Sequence, residues 1–495
     1  MEGIVFVPGI FGSELYYNNN SASQIWPSGP FDLGGYTQID ELSDPARVSV
    51  GKIVDYVVFP FIAIYSVIEG DLRDICNQIN GSDDGPYLPV PYDWRVDLFA
   101  AARDLERQVT QWAADPQVTS ITFFAHSMGG LVVRLLLESV IPSLPPERRP
   151  AWVDLVQRAV FACTPHLGAP EALALALGLA GDETLTPAQC KQLTANPAFP
   201  SAYQVIPSAA RNLIFDTASG GWIPYDRGDA VTQFGLSAAN IAAGNRVRSE
   251  LNIANRTPAS MEYFFMYGTG LETDESIDVS GLTTTGATIV QQDGGDGTVP
   301  AWSITEAASQ ASPPIPTWSG PGEHLHLLST DAFRQELYRY FGLGSSAAIV
   351  EAALMTAAGV APGLAAFAPR ISVHCNKRQY PPGAPVHILL VPSTPTETLA
   401  GSLQMRRFVA ARGAHGNWIY GASSAPVATK TVKIEGGPVK THSVHMSAPT
   451  TPGAYLLEFV GDAATQLSAQ NGGGWFFVRG DKDAPTRGVK LRAKP

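Results

Sequence analysis

The stretch SITFFAHSMGGLVVRLLLESV, residues 120–140, limits the possible folds more than any other part of the chain. Its first half is apolar on both faces, as a strand must be when it is covered from both sides. No polar spacer follows. The run passes through His126 and Ser127 into Gly129 and Gly130, and at once into a helix-forming segment. A direct junction of this kind belongs to a mostly parallel sheet whose strands are joined by helices. The same alternation runs from the start of the chain to about residue 345. GIVFVPG, YLPVPYDW, VTSITFF, RAVFACTP and MEYFFMYG read as strands. YSVIEGDLRDICNQI, LFAAARDLERQVTQWAA and STDAFRQELYRYFG read as helices between or after them.

The rhythm breaks twice. Between about 168 and 260, EALALALGLAG, PAQCKQL and SAYQVIPSAARNL suggest short helices and loops, as in a cap or lid inserted at the edge of a sheet. After a small-residue connector at 346–368, the segment 369–482 carries short strands separated by Gly, Pro and Ser. That spacing predicts an antiparallel β-sandwich of immunoglobulin-like type, with Tyr455 in TPGAYLLEF placed as a tyrosine corner. Residues 483–495 read as a tail. The expected organisation is an α/β domain over 1–345, a linker, a sandwich and that tail. The connector suggests separable modules, with the first domain's activity surviving truncation after Gly344.

Two or three domains suit a chain of 495 residues, and 45% hydrophobic residues provide core for a soluble globular protein. The net charge of −12 argues against a nucleic-acid partner, which would require a basic face. Cys76, Cys163, Cys190 and Cys375 show no C-x-x-C pairing and predict free thiols. No metal constellation is legible, and no cofactor is expected. The opening MEGIVFVPG starts a strand with no charged leader before it. It predicts a cytoplasmic chain as it stands, with a trimmed leader or another export route left open. The longest apolar run, Tyr56–Ile68, is too short to span a bilayer and is broken by Pro60. It reads as buried packing, with a lipid-facing surface as the alternative.

A serine at the end of a buried strand, on a tight turn into a helix, is the arrangement of a nucleophile elbow. The turn demands small neighbours, here Ala125 and Gly129, with alanine where glycine is usual. A serine hydroxyl needs a base to take its proton and a carboxylate to orient that base. In such folds both follow the serine in the chain, acid first. Of the nine histidines, only His324 and His326, in GPGEHLHLLS, follow an acid loop within the α/β part. The acid loop QQDGGDGTVPAWS offers Asp293 and Asp296. Oxyanion stabilisation needs two preorganised N–H groups. Met128, after the serine, supplies one, and Ile10 in VPGIFGSEL is expected to supply the other. His166, in CTPHLGAP, reads as structural or pocket-lining. Asp93 and Arg95 read as a structural pair.

Four stretches together, FVPGIFGSEL, PVPYDWR, AHSMGGL and DGGDGTVP…GEHLHLL, resemble the lecithin:cholesterol acyltransferase family, which includes lysosomal phospholipases and phospholipid:diacylglycerol acyltransferases. FPSAYQVIPS is similar to part of that family's cap. The resemblance covers roughly residues 3–345. It implies an α/β-hydrolase fold and serine acyl-enzyme chemistry on lipid esters. It implies Ser127, Asp296 and His324 as the triad, with Ile10 and Met128 as backbone donors. The expected partners are a lipid or ester substrate and transient contact with a membrane surface or lipid aggregate. The paired cysteines of extracellular members are missing here, and mammalian members lack the sandwich. A small-molecule esterase, lactonase or amidase is the alternative enzyme. A non-catalytic binding protein with a relic site is the alternative from another class.

Overall fold

A computed structural model describes residues 1–343 apart from 21, 28–35, 59–61, 64 and 183–184, and residues 371–491 apart from 393–397, 413–417, 424, 437–440, 463–470, 473 and 481–487. The linker expected at 346–368 lies outside the described residues, as do parts of the apolar run Tyr56–Ile68.

Six strands form the central sheet, in the spatial order Thr317–Pro321, Glu262–Thr269, Val156–Ala162, Ser120–His126, Glu2–Val7 and Tyr87–Pro89. Every pairing is parallel. The interior strands are apolar on both faces because helices cover both. Val5, Val7, Phe123 and Phe161 belong to one core, and Ile4, Phe6, Phe124 and Val160 to the other. Burying each such side chain stabilises the fold by about 1.5–3 kcal/mol before entropic costs.

Strand order turns back on itself beside the first strand. Glu2–Val7 lies between Ser120–His126, which comes later in the chain, and Tyr87–Pro89. At such a switch point the loops leaving two adjacent strands diverge and open a crevice at their carboxyl ends. The loop after Val7 and the turn at Ser127 both stand there.

Residues 168–260 supply the helices Pro170–Leu177, Pro187–Ala195, Ser201–Val205, Gly228–Phe234 and Ala238–Glu250. They pack on a core that includes Leu173, Tyr203, Tyr225 and Ile241. Gln204 fastens this region to the body. Its Oε1 accepts the Leu98 N–H at 2.8 Å and its Nε2 donates to Asp97 Oδ1 at 2.9 Å, at the start of helix Leu98–Trp112. A second sheet, with no counterpart in the sequence reading, joins the hairpin Leu271–Val279/Thr288–Gly295 to Ile214–Asp216 and Gly221–Ile223. Its far edge is Gly488–Leu491, parallel to Thr288–Gly295. The stretch read as a tail therefore contains a strand.

The C-terminal part has two sheets. His442–Ser447, Pro385–Pro392, Ile371–Cys375 and Asn471–Gly472 make one, and Gln379–Tyr380, Gly474–Val478, Gly453–Gly461, Leu399–Arg412 and Trp418–Ala422 the other, with Ala428–Ile434 also paired to Leu399–Arg412. Apart from the edge pairings of Asn471–Gly472 and Gln379–Tyr380, their ladders are antiparallel. Val373, Ile388, Leu403 and Phe476 fill the space between the sheets, as in a β-sandwich. Tyr455 donates its hydroxyl proton to Thr451 O at 2.6 Å, the bond of a tyrosine corner. All four cysteines are free and buried. Among the described residues, no helix is long and apolar enough to cross a membrane.

Candidate active site

Ser127 stands between Ser120–His126 and the helix Met128–Leu135 with φ 53° and ψ −129°. A non-glycine residue rarely adopts such a conformation, and here neighbouring structure holds it in place. Its N–H donates to Ala162 O at 2.8 Å on the adjacent strand. The glycines after it allow close approach. A Cβ on Gly129 would lie 2.2 Å from Pro8 O, and one on Gly130 would lie 2.0 Å from Thr164 Oγ1. The turn is therefore pressed against the loop after the first strand on one side and against the loop after Ala162 on the other.

His324 reaches this serine from the other end of the fold. Its Nε2 lies 2.8 Å from Ser127 Oγ, and its Nδ1 lies 2.8 Å from Asp296 Oδ2. With a carboxylate at Nδ1, the proton sits on Nδ1 and Nε2 accepts from the serine hydroxyl. Asp296 is fully buried and fixed on its other side, where Oδ1 accepts the N–H groups of Thr298 at 3.0 Å and Val299 at 2.6 Å. Its backbone O accepts the His324 N–H at 3.0 Å. Gly268 makes room for it, since a Cβ there would lie 2.7 Å from Asp296 Cβ. Burial disfavours the charged imidazole of His324. The Asp296 charge and hydrogen bond, with Glu323 and Glu171 beyond them, outweigh burial and raise its pKa above the ordinary value.

The structure thus brings together Ser127, Asp296 and His324, and it separates them from the alternatives left open by the sequence. Asp293 is exposed and pairs across the hairpin with Glu272. His326 Nδ1 lies 3.1 Å from Glu323 Oε2, and burial followed by the Arg378 charge lowers its pKa. His166 is stacked on Phe265 with ring centroids 3.8 Å apart, and its Nδ1 is 3.3 Å from Arg134 Nη1, in a buried cluster with Glu138. Asp93 and Arg95 pair at 2.7 Å.

Met128 opens its helix, so its N–H has no intrahelical carbonyl to bond. Ile10 sits in the turn after the first strand. A Cβ on Gly9 would lie 2.8 Å from Ser127 Cβ, so this turn touches the serine. A chain of hydrogen bonds ties it down. The Gly9 N–H donates to Tyr65 Oη at 2.9 Å, and Tyr65 Oη lies 2.8 Å from His126 Nδ1. His126 Nε2 donates in turn to His324 O at 3.2 Å. Burial, with the His324 charge adding to it, lowers the His126 pKa to about 3, so this ring is neutral and Tyr65 is its donor. Sequence reasoning did not single out Tyr65, Gly268 or Glu323. Only Gly268, near the end of an apolar strand, carried a local signal.

Two groups of potential metal donors lie among the described residues: His126, Cys163 and His324, and Glu272, His387 and His445. Both ring nitrogens of His126 and His324 are already engaged as described above. His387 accepts the Glu272 N–H at Nδ1 (3.1 Å) and contacts Ser443 Oγ through Nε2.

A small apolar cavity lies between the Ile10 turn and the inserted helices. Phe11, Trp94, Leu175, Leu193, Phe199 and Ala202 contribute to its wall.

A parallel sheet covered on both faces, with a serine at a strand–helix turn and an acid and a histidine on later loops, defines an α/β-hydrolase. Within that class the chain is similar to the lecithin:cholesterol acyltransferase family, whose model matches residues 74–242. The match supports hydrolase or acyltransferase chemistry on lipid esters. No curated protein matches the sequence. Similar solved structures include phospholipase PlaB from Legionella pneumophila, 9% identical over 99% of this chain and 93% of that one, TM-score 0.32. Another is the product of the Listeria innocua gene lin2722, 11% identical over 68% of this chain and 92% of that one, TM-score 0.29. A third is an α/β fold family hydrolase from Bacillus anthracis str. Sterne, 9% identical over 69% and 90%, TM-score 0.24.

Proposed function

We propose that the protein is a serine hydrolase or acyltransferase of lipid esters, working through an acyl-enzyme on Ser127. The observation that carries this reading is the line of hydrogen bonds from Asp296 through His324 to Ser127. Ser127 Oγ attacks the ester carbonyl while His324 Nε2 takes its proton. Asp296 holds the Nδ1 proton and stabilises the imidazolium. The negative oxygen of the tetrahedral intermediate is held by the N–H groups of Ile10 and Met128. Collapse expels the alcohol, which takes the proton from Nε2, and leaves the acyl group on Ser127. Water or an alcohol then enters, gives a proton to Nε2 and carries the acyl group away, while the departing Ser127 Oγ takes that proton back from Nε2.

Residues 168–260 act in this reading as a cap over the acyl chain. In this reading the apolar cavity beside the Ile10 turn takes part of the acyl chain, and the cap helices shift as substrate enters. Lipid is favoured over a small polar ester because the wall is apolar. Ala202→Leu should fill the cavity and lower kcat/KM on long-chain esters about tenfold, with acetate esters within about twofold. A chain-length series measures this, and equal losses on short and long esters would show that the cavity does not take the acyl chain.

The acidic limb of kcat/KM tests the state of the base. His324 must be neutral to accept a proton, and its pKa is raised, so activity should be half lost above the ordinary imidazole value of about 6.5. A limb with its midpoint below 6 would contradict the field of Asp296 and Glu323 around it. The reading as a whole is tested by offering phospholipid, triacylglycerol and short esters, with and without an alcohol acceptor. Release of fatty acid or formation of a new ester supports it. No turnover of any ester by folded protein would remove it in favour of a non-catalytic binding role.

A further inference from the structure

The stretch CNKRQY, residues 375–380, reads in sequence as a charged turn between sandwich strands. It is buried against the loops that carry Asp296 and His324. Arg378 Nη2 lies 2.7 Å from Glu323 Oε2, its Nη1 donates to Trp475 O at 3.2 Å, and its guanidinium sits 4.5 Å from the Trp475 ring centroid. Glu323 is the residue before His324. Its Oε2 also accepts the N–H groups of Leu325 at 3.3 Å and His326 at 3.0 Å. Its own N–H donates to His374 Nδ1, on a sandwich strand, at 3.3 Å. The sandwich therefore grips the residue beside His324 through both side chain and backbone.

The acid loop is gripped by the same turn. Lys377 Nζ donates to Gly297 O at 3.2 Å and pairs with Glu171 at 2.5 Å and Asp274 at 3.1 Å. Gly297 has φ 92°, and a Cβ there would lie 2.7 Å from Asn376 O. Burial alone would raise the pKa of Glu323, but Arg378 and His326 hold it well below the usual carboxylate range. The contact to Arg378 is thus a buried, charge-assisted bond, stronger than a neutral one.

We propose that Arg378 is a positioning residue: acting through Glu323, it fixes the loop of His324, so that the β-sandwich is part of the acyl-transfer site. The inference rests on Ser127, Asp296 and His324 being the reacting groups. A displacement of about 1 Å in such a group costs on the order of 10²-fold in rate. On this reading, truncation after Gly344 removes Arg378 and abolishes activity, contrary to the separability expected from the connector.

The test uses the full chain with a soluble p-nitrophenyl short-chain ester and a fluorophosphonate probe. Arg378→Met should lower kcat about 10- to 100-fold with KM within about twofold, and should slow fluorophosphonate labelling by the same factor. Arg378→Lys, which keeps the charge but loses the fork, should fall between it and the wild type. His445→Ala breaks a 2.8 Å contact to Glu272 across the same interface and should stay within about twofold of wild type. Wild-type kcat and labelling in Arg378→Met would overturn the proposal, as would an equal loss in His445→Ala. If Arg378→Met does not fold, Arg378→Lys decides, and full activity there overturns it. Ser127→Ala separates the two readings. Labelling that persists in that variant removes the triad itself, whereas labelling lost there but unchanged in the Arg378 variants removes only the positioning role.

Discussion

Replacing Ser127 with alanine should lower ester turnover about 10⁴-fold or more and leave the fold intact. The hydroxyl makes no capping bond to the helix that follows, so the turn does not depend on it. Alanine at φ 53° meets the same steric conflict as serine, so the strain of the turn is unchanged. What disappears is the atom that attacks and the partner of His324 Nε2. Residual turnover would come from the backbone donors and from binding alone. Turnover on a soluble ester, measured beside the thermal midpoint, checks both halves of this expectation. A folded variant with a tenth of wild-type activity would remove Ser127 as nucleophile.

Asp296→Asn should cost about as much, roughly 10⁴-fold, for a different reason. Oδ1 of Asp296 is already committed to two backbone N–H groups. An amide there keeps its oxygen on those donors and turns its NH₂ toward His324. His324 must then present a lone pair at Nδ1 and carry its proton on Nε2, where it can no longer accept from Ser127. Asp293→Asn, three residues earlier and exposed, should change turnover by less than about tenfold. The two variants are compared by kcat/KM on one ester. A dead Asp293→Asn beside a near-normal Asp296→Asn would reverse the assignment of the acid.

The parts of this molecule that are legible in sequence are those whose cause is local. The run from Ile121 to Ser127, the glycines after it and the glycine-rich acid loop each carry their geometry in a few adjacent residues. Tyr455 after its Pro-Gly turn is legible for the same reason. The hairpin Leu271–Val279/Thr288–Gly295 is not. LETDESIDV has too many acidic residues to read as a buried strand, yet Asp274 is buried because Lys377 reaches it from more than 100 positions away. Arg378 and Glu323 escape for the same reason. Each looks like a solvated charge until the sandwich and the hydrolase sheet are placed against each other. Tyr65 is hidden in another way: inside an apolar run its ring reads as core, and only the position of His126 gives its hydroxyl a task.

The most direct measurement is the site of covalent capture. A fluorophosphonate ester incubated with the intact protein should add one phosphonyl group, and peptide mapping should place it on Ser127. Prior loss of His324 should slow the addition by orders of magnitude. A phosphonyl group found on any other residue, or none on folded protein that turns over esters, would contradict an acyl-enzyme at Ser127.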